Sequence, residues 1–479
     1  MRTPFLAASL PLLLLVAGGG CVSRRTAPQE STAREAVPPP PAPKVTAAME
    51  VAPTASGFLR DESAPTGLAP ASSPKISTRA HESADFGLGG GMARAASGSV
   101  ASSPFIANAN VRAGEWDDNA NYRDFMRYLA NEERVPYHRV DLANRRFLVV
   151  RDADGKAVPR CSVTVADASE RLVTFTTTAS GRAILFPHAE GLVCDGQGLT
   201  ARASCNGQSA TAGFTLETDD DVVSMRLQAK RELPATRVVD IAFILDTTGS
   251  MSEEIAAVKS TIAKVAQSLP SQDYRPRLGL VEYKDRGDEF VTRVHAFSAS
   301  TAGFLADVAN VSASGGGDYP ESVNQGLHDG LTKLDWGTDA VAKFAFLIGD
   351  APPHLNYAND SDYALDMRQA SHQGIQVFTV AASGMDELGQ AVWRQIAGYT
   401  GGTNLFVLRG GAGPQSVGAG DPKSSCGGTQ TQYASGNLDV LLTRKITGEL
   451  KGIDADPMRI AGLRQDESAK PCNERVAMQ

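Results

Sequence analysis

The chain has 479 residues, 42% of them apolar and 21% charged, which is ample material for two or three packed domains. A formal net charge of −8, with no basic stripe in the sequence to neutralise phosphates, argues against a nucleic-acid partner. An aromatic share of 6% beside 26 prolines implies that part of the chain does not pack.

Residues 1–20 have the organisation of an export signal. Arg2 supplies a positive start, residues 10–16 an apolar run, and Ala17 to Gly20 a small-residue step leading to Cys21. The run is shorter than the roughly 20 apolar residues of a spanning helix. This pattern resembles a bacterial lipoprotein signal, with Gly18 standing where such signals carry Leu. The resemblance implies lipidation of Cys21, and Val22 after it implies an anchor in the outer membrane of the cell envelope. Residues 21–104 are rich in Ala, Pro, Ser, Thr and Gly, with Phe58 and Phe86 as their only aromatics. Such a segment buries too little apolar surface to offset chain entropy, so a disordered tether is expected.

Residues 105–145 are expected to be a helical lead-in. Tyr122, Phe125, Met126 and Leu129 recur at helical spacing, with Asp117 and Asp118 placed to cap the helix. Residues 146–230 predict a small β-sandwich. Short β-prone runs at 147–150, 161–165, 172–176, 183–186 and 222–227 alternate with turn residues such as Asp154-Gly155 and Ser180-Gly181. Residues 150–159 resemble the opening hairpin of carboxypeptidase-regulatory-like, immunoglobulin-type domains. Asp152-Ala153-Asp154-Gly155 is a turn and not an EF-hand, because Val163 stands where the loop's final Glu belongs. Export places the cysteines in an oxidising compartment. Proximity along the chain pairs Cys194 with Cys205 and Cys426 with Cys472, and leaves Cys161 as a buried thiol. Sequence alone leaves the connectivity open.

From Arg237 the pattern changes to alternating strands and helices, which implies a doubly wound, mostly parallel α/β sheet over 236–455. Residues 238–245 form a nearly continuous apolar run, as a central buried strand does. Further strands are expected at 278–283, 290–297 (an edge), 344–348, 375–380 and 404–408. Helices are expected at 255–269, 301–310, 322–334, 363–372, 388–396 and 438–450. Residues 410–436, rich in Gly, Ser and Gln, are a surface loop, and 456–479 a tail.

In such sheets ligands bind beyond the carboxyl ends of the strands. Asp246 and Asp350 each follow a buried strand, so both belong to that rim. Asp246, Thr248 and Ser250 put three oxygen side chains on one turn, a donor set suited to Mg²⁺, with Mn²⁺ or Ca²⁺ as substitutes. With these residues the region resembles the von Willebrand factor type A (VWA) family. The family's metal-ion-dependent adhesion site (MIDAS) falls on Asp246, Thr248 and Ser250, and its late strand-end aspartate on Asp350. Where many members carry threonine in the second loop, this chain has a glycine run ending in Asp318-Tyr319-Pro320-Glu321. Asp318 is the preferred ligand there and Glu321 the alternative. Either carboxylate makes the ion less electrophilic than a neutral threonine would, which weakens capture of an acidic partner residue.

The resemblance implies a binding module that grips a protein ligand through a shared ion. The alternatives are an envelope scaffold whose ion staples loops, and a Mg²⁺-dependent hydrolase. The last would need a general base or a cationic clamp near the rim, and Lys284 and Arg286, the cations nearest in sequence, are read as solvated. No zinc-type histidine spacing, nucleophile elbow or phosphate loop occurs, so no enzyme is expected. His354, in the loop after Asp350, is read as a surface or capping residue.

Overall fold

The computed structural model describes residues 111–193, 196, 198–269, 272–382, 384–407 and 434–454. The expectations for the signal, Cys21, the tether, Cys194, Cys426, Cys472, most of the 410–436 loop and the tail lie outside the described residues. Among the described residues no helix is long and apolar enough to cross a membrane.

In chain order the elements are β1 (Arg112–Trp116), α1 (Tyr122–Asn131), β2 (Arg145–Arg151), β3 (Ser162–Ala166), β4 (Leu172–Thr176), β5 (Arg182–Leu185), β6 (Leu199–Cys205), β7 (Gln208–Phe214) and β8 (Asp220–Arg226). There follow β9 (Arg237–Asp246), α2 (Ile255–Ser268), β10 (Tyr274–Tyr283), β11 (Thr292–Ser298), α3 (Thr301–Asn310), α4 (Val323–Thr332), β12 (Ala342–Gly349), α5 (Tyr363–His372), β13 (Ile375–Ala381), α6 (Glu387–Thr400), β14 (Asn404–Val407), β15 (Ala434–Asn437) and α7 (Leu438–Gly452).

Eight strands form one sheet in the order β11-β10-β9-β12-β13-β14-β1-β15. The pairs from β10 through β14 are parallel, and β11, β1 and β15 join antiparallel. This is the mixed α/β, mostly parallel sheet that the alternating pattern implies. Alternation along β9 fills two cores. Ile241, Phe243 and Leu245 face α2, α3 and α7, whereas Ala242 and Ile244 face α1, α4, α5 and α6. On the first face Phe243, Phe346 and Phe378 stack across three neighbouring strands at centroid distances of 5.4 and 5.3 Å, adding aromatic contact to burial.

Two findings correct the expected boundaries. First, the 105–145 segment is more than a helical lead-in, because Arg112–Trp116 is a strand of the large sheet, paired with β14 and β15. The run Arg-Ala-Gly-Glu-Trp carries no alternating apolar signal, so only its partners reveal it. Second, α1 lies in the core of that α/β unit, with Tyr122, Phe125, Tyr128 and Leu129 all buried there. The Asp118 carboxylate receives Nε and Nη2 of Arg394 on α6 at 3.0 and 2.7 Å, and the guanidinium lies 3.8 Å over the Tyr128 ring.

Between β1 and β9, a three-stranded sheet (β5-β2-β8) and a four-stranded sheet (β4-β3-β6-β7) enclose a common core. Leu148 and Val150 of β2 point into that core, while Phe147 and Val149 pack into the α/β core on the other side. The unbroken apolar run of β2 is therefore a strand buried on both faces.

Cys161 is bonded to Cys205, with Cα atoms 4.9 Å apart, and not left as a free thiol as chain proximity suggested. Register dictates this pairing. Ser162 opposes Ser204 across β3 and β6, so the next residues outward, Cys161 and Cys205, face each other. The bridge closes a separation of 44 residues, for which loop-closure entropy gives about 4 kcal/mol. Replacing both cysteines by alanine is expected to lower the urea midpoint accordingly. An unchanged midpoint would show that the bridge constrains nothing in the unfolded chain.

Candidate metal centre

Asp246 is the last residue of β9, and Asp350 follows β12 directly. The parallel pairing of these neighbours brings both to one end of the sheet. After Asp246 the chain makes a tight 3₁₀ turn over Gly249–Glu253 before α2, and this turn brings Thr248 and Ser250 to the same side. A chain of oxygens results. The Thr248 hydroxyl donates to Asp246 Oδ1 at 2.7 Å and lies 3.1 Å from the Ser250 hydroxyl, which donates to Asp350 Oδ1 at 3.0 Å. Asp246, Thr248 and Asp350 are buried, while Ser250 is exposed and marks the solvent side.

The second loop supplies Glu321. Gly315 and Gly316 both adopt positive φ, +79° and +78°, where glycine is unstrained. A Cβ on Gly316 would sit 3.2 Å from Glu321 Oε1 and 3.3 Å from Thr248 Cβ, so the missing side chain is what lets the two loops close. The backbone N–H of Gly249 donates to Gly315 O at 2.9 Å, and that of Ser314 to Thr247 O at 3.0 Å. Lys284 is buried, with its ammonium donating to Thr247 O at 2.5 Å, to Ser314 Oγ at 3.1 Å and to Ser314 O. It clasps the first loop to the second and is not the solvated loop charge the sequence suggested.

The structure thus brings together Asp246, Thr248, Ser250, Asp350 and Glu321. Asp318, the carboxylate preferred from sequence, lies elsewhere, 3.7 Å from His354 Nε2. The difference is one of register. The Glu321 N–H donates to Pro352 O and its carbonyl accepts from His354 N–H, and these two bonds hold Glu321, three residues after Asp318, against the loop that follows β12.

Electrostatically the cluster is crowded with acids, which hold on to their protons. Burial raises the Asp246 and Asp350 carboxyl pKa values, and for Asp350 the neighbouring Asp246 charge adds to it. Burial, then the Asp246 and Asp285 charges, push Glu321 up to about 9. Asp246 Oδ2 and Glu321 Oε2 are buried and no well-formed hydrogen bond reaches either, although the Tyr283 hydroxyl lies beside Asp246 and the Thr248 hydroxyl beside Glu321. A buried carboxylate oxygen without a partner is costly, and a cation between these groups would satisfy both atoms. The donor set of carboxylates and hydroxyls suits a hard divalent ion. The residues therefore fit the metal.

A pH dependence follows. The three carboxylates keep protons in the folded state that the unfolded chain releases above pH ~4. Above that pH the native state binds more protons than the unfolded state, so stability falls as pH rises, until Glu321 has titrated near 9. Melting temperature measured in chelator should fall from pH 5 to pH 9, and Mg²⁺ should restore it most at the alkaline end. Stabilisation by Mg²⁺ independent of pH would contradict this charge cluster.

Residues 240–407 match the von Willebrand factor A domain family model, which supports a domain of this type over those residues. The chain is 32% identical over 143 residues to the alpha-protein kinase vwkA of Dictyostelium discoideum, covering 29% of this chain and 22% of that protein. It therefore spans about a fifth of that relative's length. Among solved structures, proximal thread matrix protein 1 from the mussel byssus, with a zinc-occupied MIDAS motif, is similar over 35% of this chain and 40% of its own, at 15% identity and a TM-score of 0.28. An aerotolerance-related membrane protein from Bacteroides fragilis is similar over 35% of this chain and 89% of its own, at 13% identity and a TM-score of 0.26.

Proposed function

We propose that this chain is a cell-envelope protein whose von Willebrand factor A domain grips a protein partner through a divalent cation, Mg²⁺ or, in substitution, Mn²⁺ or Ca²⁺. Asp246, Thr248, Ser250, Glu321 and Asp350 hold the ion. The observation that carries this reading is the pair of buried, unpartnered carboxylate oxygens, Asp246 Oδ2 and Glu321 Oε2, in a cluster of three acids. When bound, the ion supplies a Lewis-acidic position on the exposed Ser250 side. Three carboxylates outweigh the charge of a dication, so a neutral partner oxygen is favoured over a carboxylate. The envelope location and outer-membrane anchor rest on Cys21 following the apolar run at 10–16.

Catalysis is no part of this reading. Lys284 is committed to backbone carbonyls, and Arg286 pairs with Asp360 at 3.4 Å and donates to Ala358 O. Neither cation is free to act as a clamp on a reacting group. Calorimetric titration of the full chain with Mg²⁺ and Mn²⁺ tests the reading. One saturable ion per chain supports it, and no heat from a folded chain overturns it. Ion binding with partner retention indifferent to chelator would leave an envelope scaffold whose ion only joins loops.

A further inference from the structure

Beside the cluster just described, and sharing none of its side chains, Asp285, Asp318 and His354 converge. One ligand atom from each lies within 4.8 Å of the others. His354 is 5% exposed, and its Nε2 has no hydrogen-bond partner although it lies 3.6 Å from Asp285 Oδ2 and 3.7 Å from Asp318 Oδ2. The geometry points to a second cation site here, for a borderline transition-metal dication such as Zn²⁺, ligated by one imidazole nitrogen and two carboxylates.

Three features carry this. The tautomer is the first. His354 Nδ1 lies 3.1 Å from Asn356 Oδ1, and an amide oxygen only accepts, so Nδ1 carries the proton and Nε2 presents its lone pair. The Nε2 lone pair and the two carboxylates it faces have no proton between them and repel, and a cation removes the conflict. Spacing is the second. Contacts of 3.6 and 3.7 Å are too long for N–H···O bonds of a protonated ring, which close to about 2.7–2.9 Å. They approach the ~3.4 Å that separates two ligands bound tetrahedrally at about 2.1 Å. Preorganisation is the third. The Tyr357 hydroxyl donates to Asp285 Oδ2 at 2.7 Å and the Ser322 hydroxyl to Asp285 Oδ1 at 2.9 Å. The Tyr357 ring stacks on the imidazole at 3.8 Å, holding its plane. Such supporting contacts orient metal ligands.

The nitrogen ligand sets the metal class. Imidazole suits zinc, cobalt, nickel and copper, whereas Mg²⁺ prefers an all-oxygen shell. Two carboxylates neutralise the dication, and the Asp318 side chain is 63% exposed, which leaves a solvent-facing position for water.

Co²⁺ serves as the probe, because its ligand-field absorption reports nitrogen and oxygen donors directly. In the full chain carrying Asp246→Asn, which removes the first site, one equivalent of Co²⁺ should still bind and develop visible absorption, while Mg²⁺ binds none. Adding His354→Gln should abolish that absorption and weaken Co²⁺ binding at least tenfold. In the otherwise unchanged chain, Asp318→Asn, at an exposed position, should lower the Co²⁺ stoichiometry from two to one. Absence of saturable Co²⁺ binding by the Asp246→Asn chain overturns the second site and leaves the first untouched. Binding that survives His354→Gln overturns it equally, since the ion would then sit elsewhere.

Discussion

Replacing Asp246 by asparagine should abolish saturable Mg²⁺ and Mn²⁺ binding while leaving the ion-free protein at least as stable as the parent. The two effects have opposite signs because the carboxylate has two opposite roles. With an ion it is the most deeply placed anionic ligand, fully buried at the end of β9. Without one it is a desolvated acid facing Asp350 and Glu321, and its charge raises both of theirs. Asparagine keeps the shape and removes the charge. The ion at a hundred times its Kd would stabilise the parent by about 2.7 kcal/mol. For a unit that runs from β1 to α7 that is a rise of about 4 °C in melting temperature, and the variant should show none of it. Melting curves in chelator and in saturating Mg²⁺ decide the matter. A variant that melts far below the parent in chelator would mean that Asp246 is structural, and a variant that retains the Mg²⁺ shift would remove it from the ligand set.

The largest effect on folding is expected away from the rim, at the Asp118–Arg394 pair. Both side chains are 2% exposed. Cutting Asp118 back to alanine removes the carboxylate to which Nε and Nη2 of a buried guanidinium donate, and breaking one side of a buried pair costs about 3–5 kcal/mol. That is a large part of the stability of an ordinary domain. Because the pair joins the segment before the sandwich to the last α/β layer, the loss should be global. Guanidinium unfolding should show one transition at a lower midpoint. Co-substitution of Arg394→Met should recover part of the loss, since the buried cation is then removed as well. If Asp118→Ala instead frays only residues 111–131, measured by hydrogen exchange, the segment is an accessory and not part of the core.

How far the sequence carried the structure depended on whether the signal was local. The run at 238–245, the turn bearing Thr248 and Ser250, and the aspartate after the 344–348 run are patterns of neighbouring residues, and together they predicted the position of the Asp246–Asp350 rim. Residues whose role depends on a distant partner were not legible. β1 has no pattern of its own and is a strand only because β14 and β15 flank it. The choice between Asp318 and Glu321 turned on a backbone bond to Pro352 that no spacing encodes. Cys205 found Cys161 through strand register and not through nearness in the chain. His354 looked like an incidental loop residue, because burial against Tyr357 leaves no trace in composition. Lys284 is the one position where a signal was available, since a lysine straight after the buried strand run at 278–283 ends where two loops must meet.

The placement of β1 also fixes the order in which the molecule can be completed. Ala113 is paired with Val407 and Gly436, so the first of the described strands to be synthesised has to wait for the last of them. At about 5–20 residues per second the interval is on the order of 15–60 s. Throughout it Arg112–Trp116 lacks at least one of the two strands that flank it. Long-range closure of this kind slows folding and prolongs the life of an open strand edge. A chain truncated before residue 434 could never seal that edge, and such products should accumulate as aggregates while the full chain stays in solution.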